Sequence, residues 1–260
     1  METAKAIFDP IDHDSVADAV VHQIEAMIVN GILKEEMRLP SEREMAELLE
    51  VSRPKLREAL KKLEEHGLLI VRHGEGSFVA KLTGTAMTPA FLDLYSRHPE
   101  AFYDYLEYRR EQESFAARLA ATRATETDKE IIRKILARMD AAHEAGDQEA
   151  SKEADMRLHT AIVDASHNST LIHMMGSVYE LTRRGIFYNR NFLRSIDTAG
   201  DELLKQHHDL VDAVCAGDPV AAETAAKAHL DFVERAFRQG SENERRMRMS
   251  EKRRILWDRD

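Results

Sequence analysis

The residues of this sequence that are best suited to bind a metal ion are an aspartate and three histidines in its C-terminal half. Asp155 and His159 are four residues apart, so they lie on adjacent turns of one face if their segment is helical. His207 and His229 follow later, each within a helical stripe of apolar residues. One carboxylate and three imidazoles suit a divalent transition metal, with zinc as the first candidate and nickel, manganese or iron as others. His208 faces a second apolar row and competes with His207 for this role.

An arginine and a glutamate are predicted to face the interior of the same region. In the segment 100–122 the apolar positions recur every three or four residues, and Arg109 and Glu113 fall on that apolar face. A buried charge is costly unless it is paired or bound. A guanidinium can hold a carboxylate through two parallel hydrogen bonds. We therefore expect Arg109 to bind a small carboxylate ligand beside a metal ion that has open coordination positions.

A second group of basic residues lies near the N-terminus, in "LPSEREMAELLEVSRPKLREA" at 39–59. Arg53 and Arg57 are four residues apart at the start of one predicted helix, and Arg43 lies near the start of the helix before it. Arginine can recognise guanine O6 and N7 in the major groove of DNA, whereas Lys55 is better suited to a phosphate. The spacing therefore predicts a surface that binds double-stranded DNA.

Three short helices are predicted to position these basic residues. The first runs from Ser15 to Val29 with apolar residues at helical spacing. Ser41 and a glutamate three residues later predict a capping box at the start of the second. Ser52 is the expected N-cap of the third, which has a proline in its first turn and ends at Gly67.

A β-hairpin is predicted after the third helix. Two β-rich runs, Leu68–Arg72 and Ser77–Lys81, flank the turn sequence "HGEG". His73 and Gly74 lie at its tip, where they can approach the edge of a DNA groove. Three helices followed by a hairpin are typical of a winged helix-turn-helix.

The remainder of the chain is predicted to be helical. We expect a mainly α fold in which the winged helix-turn-helix, at 1–82, is joined by a linker at 83–98 to an antiparallel all-helical bundle, an effector domain at 99–240. The charged segment at 241–260 is expected to be a frayed helix or a tail. The predicted helices of the bundle are at 100–122, 127–145, 148–166, 169–192, 200–215 and 219–239.

Composition excludes several classes of protein. The 260 residues carry a formal net charge of −10, so any contact with DNA must come from a local basic surface. A single cysteine, Cys215, excludes an internal disulfide framework and fits a reducing compartment. Neither a run of apolar residues long enough to span a bilayer nor a signal peptide is found. We expect a cytoplasmic protein without a membrane partner.

The stretch 39–79 resembles the DNA-binding domain of the GntR family of bacterial transcription regulators. The matching sequence is "LPSEREMAELLEVSRPKLREALKKLEEHGLLIVRHGEGSFV". The resemblance implies that the residues at the family's operator-contacting positions bind DNA here. They are Arg43, Ser52, Arg53, Lys55, Arg57, His73 and Gly74.

The helical half resembles the FadR-type (FCD) branch of that family. The matching segments are "LEYRREQESFAARLAA", "DMRLHTAIVDASHN" and "HHDLVDAVCAGDPVAAETAAKAHL". The family's metal ligands fall on Asp155, His159, His207 and His229, and its ligand-binding arginine falls on Arg109. "RHPEAFYDYLEYRR" also resembles the pyruvate dehydrogenase complex repressor and the lactate-responsive regulators of this branch.

The resemblance implies a homodimer that binds a pseudo-palindromic DNA operator and responds to a small organic acid such as pyruvate, lactate or a related carboxylate. By kinship it implies a repressor that the acid releases from DNA, and not an enzyme. Two alternatives remain open. One is a metal-dependent hydrolase with Glu113 or Glu180 as its base. The other is a DNA-binding dimer that has no metabolite ligand.

Overall fold

The computed structural model describes residues 16–82, 98–183 and 199–257. The chain divides into two compact units, Met1–Gly84 and Thr85–Asp260. Several sequence predictions fall outside the described residues: nearly all of the linker at 83–98, the part of the helix at 169–192 that follows residue 183, and the last three residues of the tail. Within the described ranges, no helix combines the length and apolar character needed to cross a membrane.

The first unit contains the three predicted helices, α1 (Val16–Val29), α2 (Glu42–Leu48) and α3 (Arg53–Glu65). The capping box of α2 is confirmed, because the Ser41 hydroxyl accepts the Glu44 N–H while the Glu44 carboxylate accepts the Ser41 N–H at 2.9 Å. An apolar core of residues from all three helices holds them together. Its fully buried members include Ala17, Leu56, Ala59 and Leu63.

The start of α3 differs from the prediction in one respect. Ser52 occupies the N-cap position, but its side chain makes no capping hydrogen bond. Such a bond goes to the N–H of the second or third helical residue. Pro54, the second, has no N–H, and the Ser52 hydroxyl does not accept from Lys55, the third. The exposed Ser52 hydroxyl is therefore not committed to its own helix.

The predicted hairpin is present, with slightly different bounds. β1 (Leu69–Arg72) and β2 (Gly76–Val79) are antiparallel, and Arg72 pairs with Gly76 across a three-residue turn. β2 therefore begins one residue earlier and ends two residues earlier than predicted. Gly74 in the turn has φ of 77°, a conformation that only glycine adopts at little cost. Arg38 forms an isolated antiparallel bridge with Phe78, beside the two-stranded sheet.

The second unit is an all-helical bundle, and its helix bounds lie within one or two residues of the predicted ends except at the C-terminal ends of the helices that begin at Ser169 and Pro219. Its described helices are α4 (Pro99–Arg123), α5 (Glu126–Glu144), α6 (Gln148–Asp164), α7 (Ser169–Arg183), α8 (Ala199–Ala216) and α9 (Pro219–Trp257).

The prediction that the last helix ends near residue 239 was wrong. α9 continues to Trp257, although the side chains described beyond Gly240 are exposed. Charged residues with long side chains favour helix, and pairs four residues apart stabilise it further. Arg238 pairs with Glu234, and Arg246 pairs with Glu242 in this way.

The core of the second unit consists of two apolar clusters. Along three helices, buried polar residues lie between a residue of one cluster and a residue of the other. On α4, Leu106 belongs to one cluster and Ala117 to the other. Arg109 and Glu113 lie between these two positions. His207 on α8 and His229 on α9 occupy equivalent positions between members of the two clusters. The bundle thus encloses polar groups at the junction of two apolar regions.

Candidate functional site

Three histidines from three helices converge inside the bundle. His159 on α6, His207 on α8 and His229 on α9 each offer one ring nitrogen, and these atoms all lie within 4.8 Å of one another. Asp155, one turn before His159, places Oδ1 at 3.2 Å from Nε2 of His207 and at 3.8 Å from Nε2 of His159. All four residues are at most 3% exposed.

A carboxylate on α4 orients one of these histidines. Oε2 of Glu113 lies 2.7 Å from Nδ1 of His159, so Nε2 is the nitrogen on the side of Asp155. Burial acts to raise the pKa of Glu113, but the Arg109 guanidinium and the His159 ring lower it to about 2. Glu113 is therefore an ionised acceptor at neutral pH.

His229 is oriented by a neighbour on α8. Its Nδ1 lies 3.3 Å from the side-chain oxygen of Gln206, which leaves Nε2 as the nitrogen on the other side of the ring. Burial, together with the rings of His207 and His159, holds the pKa of His229 well below its usual value. A neutral imidazole is the form that binds a metal ion.

Arg109 lies beside the histidines as a fully buried cation. Its Nε donates to Oε1 of Glu113 at 2.6 Å. Its guanidinium carbon is 5.7 Å from the centroid of the Tyr105 ring and 5.6 Å from that of Tyr179. Burial disfavours the charged guanidinium, but the Glu113 carboxylate outweighs it and raises the pKa of Arg109 further above its usual value. Arg109 stays charged.

The structure distinguishes the two adjacent histidines that the sequence left in competition. His207 is 1% exposed and faces the cluster. His208, in contrast, is partly exposed, and its Nε2 lies 2.7 Å from Oδ1 of Asp140 on α5. His208 therefore takes no part in the cluster.

The donor set fits a divalent transition metal. Three imidazoles and one carboxylate are ligands that zinc accepts in proteins. Two of the imidazoles are oriented by hydrogen-bonding groups outside the set, Glu113 and Gln206, as is usual for metal-binding histidines. A buried group of three histidines and an aspartate would otherwise carry a large desolvation cost.

The seven residues predicted to bind DNA are all exposed in the first unit. Arg53 and Arg57 lie at the start of α3, and Ser52 immediately precedes it. Arg43 is at the start of α2, whereas His73 and Gly74 form the turn of the hairpin. The structure thus leaves every one of these side chains accessible to a ligand outside the protein.

Three of the basic side chains contact acidic neighbours on the same surface. Arg57 Nε lies 2.7 Å from Oε2 of Glu42 on α2, and Lys55 Nζ lies 2.8 Å from Oε2 of Glu58. The third, Arg43, lies at 4.0 Å from Glu47. Such exposed pairs contribute roughly 0–1 kcal/mol, so a phosphate or base can replace them at small cost.

Sequence reasoning missed several residues of these sites. Gln206 contacts His229 and Tyr179 packs beside Arg109, but each occupies a position that a core residue could equally fill. Arg38 was also missed, and its guanidinium lies beside Gly76 in the hairpin. The signal for Arg38 was its position one residue before the segment "LPSER", opposite the predicted hairpin.

Comparison with protein families identifies both units. Residues 16–79 match the family described as bacterial regulatory proteins, gntR family, and residues 104–232 match the FCD domain. The first match covers α1 to β2. The second covers every residue of the proposed metal and effector site, namely Arg109, Glu113, Asp155, His159, His207 and His229.

Several bacterial regulators are similar over most of their length. A protein of Escherichia coli (strain K12) that is named as a regulatory protein of the L-lactate dehydrogenase operon is 33% identical over 89% of this chain and 90% of its own. The Glc operon transcriptional activator of the same strain is 34% identical over 85% and 88%. The regulator LutR of Bacillus subtilis (strain 168) is 34% identical over 80% and 94%.

A solved structure has the same fold. The GntR protein of Streptococcus agalactiae superposes with a TM-score of 0.54 at 26% sequence identity, covering 86% of this chain and 99% of that chain. The matched domains and these relatives are those of transcription regulators, not of enzymes.

Proposed function

Because the chain belongs to the gntR family of bacterial regulatory proteins and carries an FCD domain, we propose that this ligand-responsive, DNA-binding transcription regulator senses a small carboxylate inside its helical unit. The observation that carries the proposal is the convergence of three buried imidazoles and Asp155 beside the buried guanidinium of Arg109. A buried guanidinium beside a metal site suits an anionic ligand and not an apolar one.

Asp155, His159, His207 and His229 would hold the metal ion, which we propose to be zinc. When bound, the ion supplies positive charge and open coordination positions for an anionic oxygen. Glu113 and Gln206 orient two of the histidines, and the surrounding apolar residues exclude water. Arg109 carries the second positive charge, and it binds the carboxylate through the N–H groups that Glu113 does not occupy.

The names of the relatives support one class of effector. One relative is named for the L-lactate dehydrogenase operon. The positive charges of a bound metal ion and of Arg109 would complement the negative charge of a small carboxylate. We propose L-lactate as the first candidate and pyruvate as the second. Both are short carboxylates with an oxygen on the neighbouring carbon, which gives the anion two acceptor groups within one small molecule.

The first unit is proposed to bind a pseudo-palindromic operator as one half of a homodimer. α3 would enter the major groove, where Arg53 and Arg57 contact base edges, while Ser52 and Lys55 contact phosphates. Arg43 is placed for the DNA backbone, and His73 with Gly74 for the groove edge next to the hairpin. The exposure of all seven residues supports this assignment.

We propose that the protein is a repressor and that the carboxylate releases it from DNA. An effector can do this only if it binds the DNA-competent and DNA-incompetent states with unequal affinity. A mobility-shift assay with and without L-lactate tests the sign. Tighter operator binding in the presence of the acid would contradict release, and a transcription assay would then test activation, the role for which one relative is named.

A thermal-shift screen of organic acids with two to six carbon atoms, with and without a chelator, tests the effector proposal. A ligand that binds only the folded protein must raise its stability. We expect L-lactate or pyruvate to raise the unfolding temperature of the metal-loaded protein, and the chelator to remove that effect. If no acid in the screen raises it, the protein is better described as a DNA-binding dimer without a metabolite ligand.

A hydrolase built on the same metal set finds little support. Its general base was expected to be Glu113 or Glu180. The pKa of Glu113 is lowered to about 2, and both of its oxygens accept from neighbouring residues, so it is a poor base at neutral pH. The side chain of Glu180 lies outside the described residues.

A further inference from the structure

The hydroxyl of Tyr179 is buried without a hydrogen-bond partner in the described part of the chain. Tyr179 lies on α7, a helix that contributes no proposed metal ligand, and it is only 1% exposed. Leaving a buried hydroxyl unsatisfied costs free energy, and most buried tyrosine hydroxyl groups have a partner. This hydroxyl therefore calls for an explanation.

The surroundings of Tyr179 connect it with the proposed effector site. Its ring centroid is 5.6 Å from the guanidinium carbon of Arg109, on which the ring of Tyr105 also packs at 5.7 Å. Burial and the Glu113 carboxylate raise the pKa of Tyr179 well above its usual value, so the hydroxyl keeps its proton. Tyr179 is thus a neutral hydrogen-bond donor next to a buried cation.

The carboxylate that interacts with Tyr179 inside the protein is already engaged by two other donors. Glu113 accepts from Arg109 through Oε1 at 2.6 Å and from His159 through Oε2 at 2.7 Å. Glu113 is close enough to Tyr179 to raise its pKa, but the hydroxyl meets no partner at hydrogen-bonding geometry among the described residues. The anion proposed to bind Arg109 would supply an acceptor at this place.

We propose that Tyr179 is a specificity-determining residue whose hydroxyl donates a hydrogen bond to the carboxylate held by Arg109. This inference rests on the proposed function, and it deepens it by adding a contact from α7. Arg109 neutralises the charge of the acid, whereas Tyr179 distinguishes an oxygen acceptor from a group that has none. A site with an unused donor rejects analogues that lack the matching acceptor.

The experiment compares Tyr179→Phe with the unaltered protein by calorimetric titration of L-lactate, and then of pyruvate, into the zinc-loaded full chain. The substitution removes one oxygen atom and keeps the ring against Arg109. A buried hydrogen bond to a charged acceptor is worth roughly a 10- to 100-fold change in affinity. We expect Kd to rise by that factor, while zinc affinity and operator affinity without the acid stay unchanged.

Two further measurements separate a ligand contact from a structural role. The unfolding temperature of Tyr179→Phe without the acid should be unchanged or higher, because an unsatisfied hydroxyl is removed. A matched control is Tyr103→Phe, also on a tyrosine in the second unit, whose ring packs on Arg238 at 3.8 Å and not on Arg109. It should leave the affinity for L-lactate within about twofold, less than the loss of one hydrogen bond.

Three outcomes would overturn the inference. An equal, small effect of Tyr179→Phe and Tyr103→Phe would show that the hydroxyl does not contact the acid. A loss of stability and zinc affinity in Tyr179→Phe would show that the hydroxyl supports Glu113 instead. If neither L-lactate nor pyruvate binds the unaltered zinc-loaded protein, the proposed function itself fails, and the assignment of Tyr179 fails with it.

Discussion

Nδ1 of His159 lies 2.7 Å from Oε2 of Glu113, and this contact decides which ring nitrogen of His159 faces the cluster. Glu113 is ionised at neutral pH, so it can only accept. The proton between the two groups therefore resides on Nδ1, and Nε2 is the nitrogen on the side of Asp155. Glu113 accepts from Arg109 as well. One carboxylate therefore orients both a proposed metal ligand, His159, and the proposed effector-binding residue, Arg109.

Glu113→Gln should weaken metal binding by roughly 10- to 100-fold, the usual effect of losing a group that orients a metal ligand. The glutamine side chain has one acceptor oxygen, so it cannot accept from both Arg109 and His159. Competition between the protein and a zinc chelator measures the affinity.

Ser114→Ala is the matched control for Glu113→Gln. Ser114 is the next residue on α4 and is equally buried, but its hydroxyl donates to the backbone oxygen of Glu111, away from the cluster. It should leave zinc affinity unchanged. Equal zinc affinity in both variants would contradict the orienting role of Glu113.

His207→Ala should abolish stoichiometric zinc binding, whereas His208→Ala should retain it. The two residues are adjacent on α8, but only His207 faces the other histidines, and His208 is instead paired with Asp140. Elemental analysis of the purified variants measures the bound metal. Operator affinity in the absence of effector should remain largely intact in both. Loss of zinc from His208→Ala, or its retention in His207→Ala, would mean that the proposed ligand set is incorrect.

Arg53→Ala should weaken operator binding by roughly 1–3 kcal/mol if the lost contact is to a base, and it should relax the sequence preference at that position. Lys61→Ala, two turns further along α3, removes an equally exposed charge that is paired with Glu65. It should have a much smaller effect. A mobility-shift titration at fixed salt concentration compares the two variants. Unchanged operator affinity in Arg53→Ala would argue against the proposed DNA surface.

Glu42→Gln should strengthen operator binding by up to about fivefold, because it releases Arg57 from an exposed ion pair worth at most about 1 kcal/mol. Glu65→Gln is the control, since it removes the same charge from the same unit but frees only Lys61. The same mobility-shift titration applies. An equal gain in both variants would indicate a general charge effect and not competition between Glu42 and the DNA for Arg57.

Local chemistry explains why the elements were predictable. The capping box at Ser41 and the closing glycine at residue 67, with φ of 73°, depend on residues within a few positions of one another. The same local rule placed Ser52 correctly at the N-cap, but it could not show that the Ser52 hydroxyl makes no capping hydrogen bond. It failed at the end of α9, where a charged sequence can be either a solvated helix or a tail.

The proposed site was predictable in part, because helical periodicity places residues on faces. The stripe in α4 indicated that Arg109 and Glu113 face the interior, and both are buried. Periodicity could not choose between His207 and His208, since each lies on an apolar row. It could not detect Tyr179 either, because a buried aromatic residue at helical spacing is also what an ordinary core requires.

The sequence by itself determined the helices, the hairpin, the exposed basic surface and the inward faces of the bundle, because these follow from interactions between near neighbours in the chain. Only the tertiary structure decided that His159, His207 and His229 share one cluster, that Glu113 joins His159 to Arg109, and that the Tyr179 hydroxyl lacks a partner among the described residues. The distances between groups on different helices depend on how those helices pack, and no local pattern in the sequence encodes them.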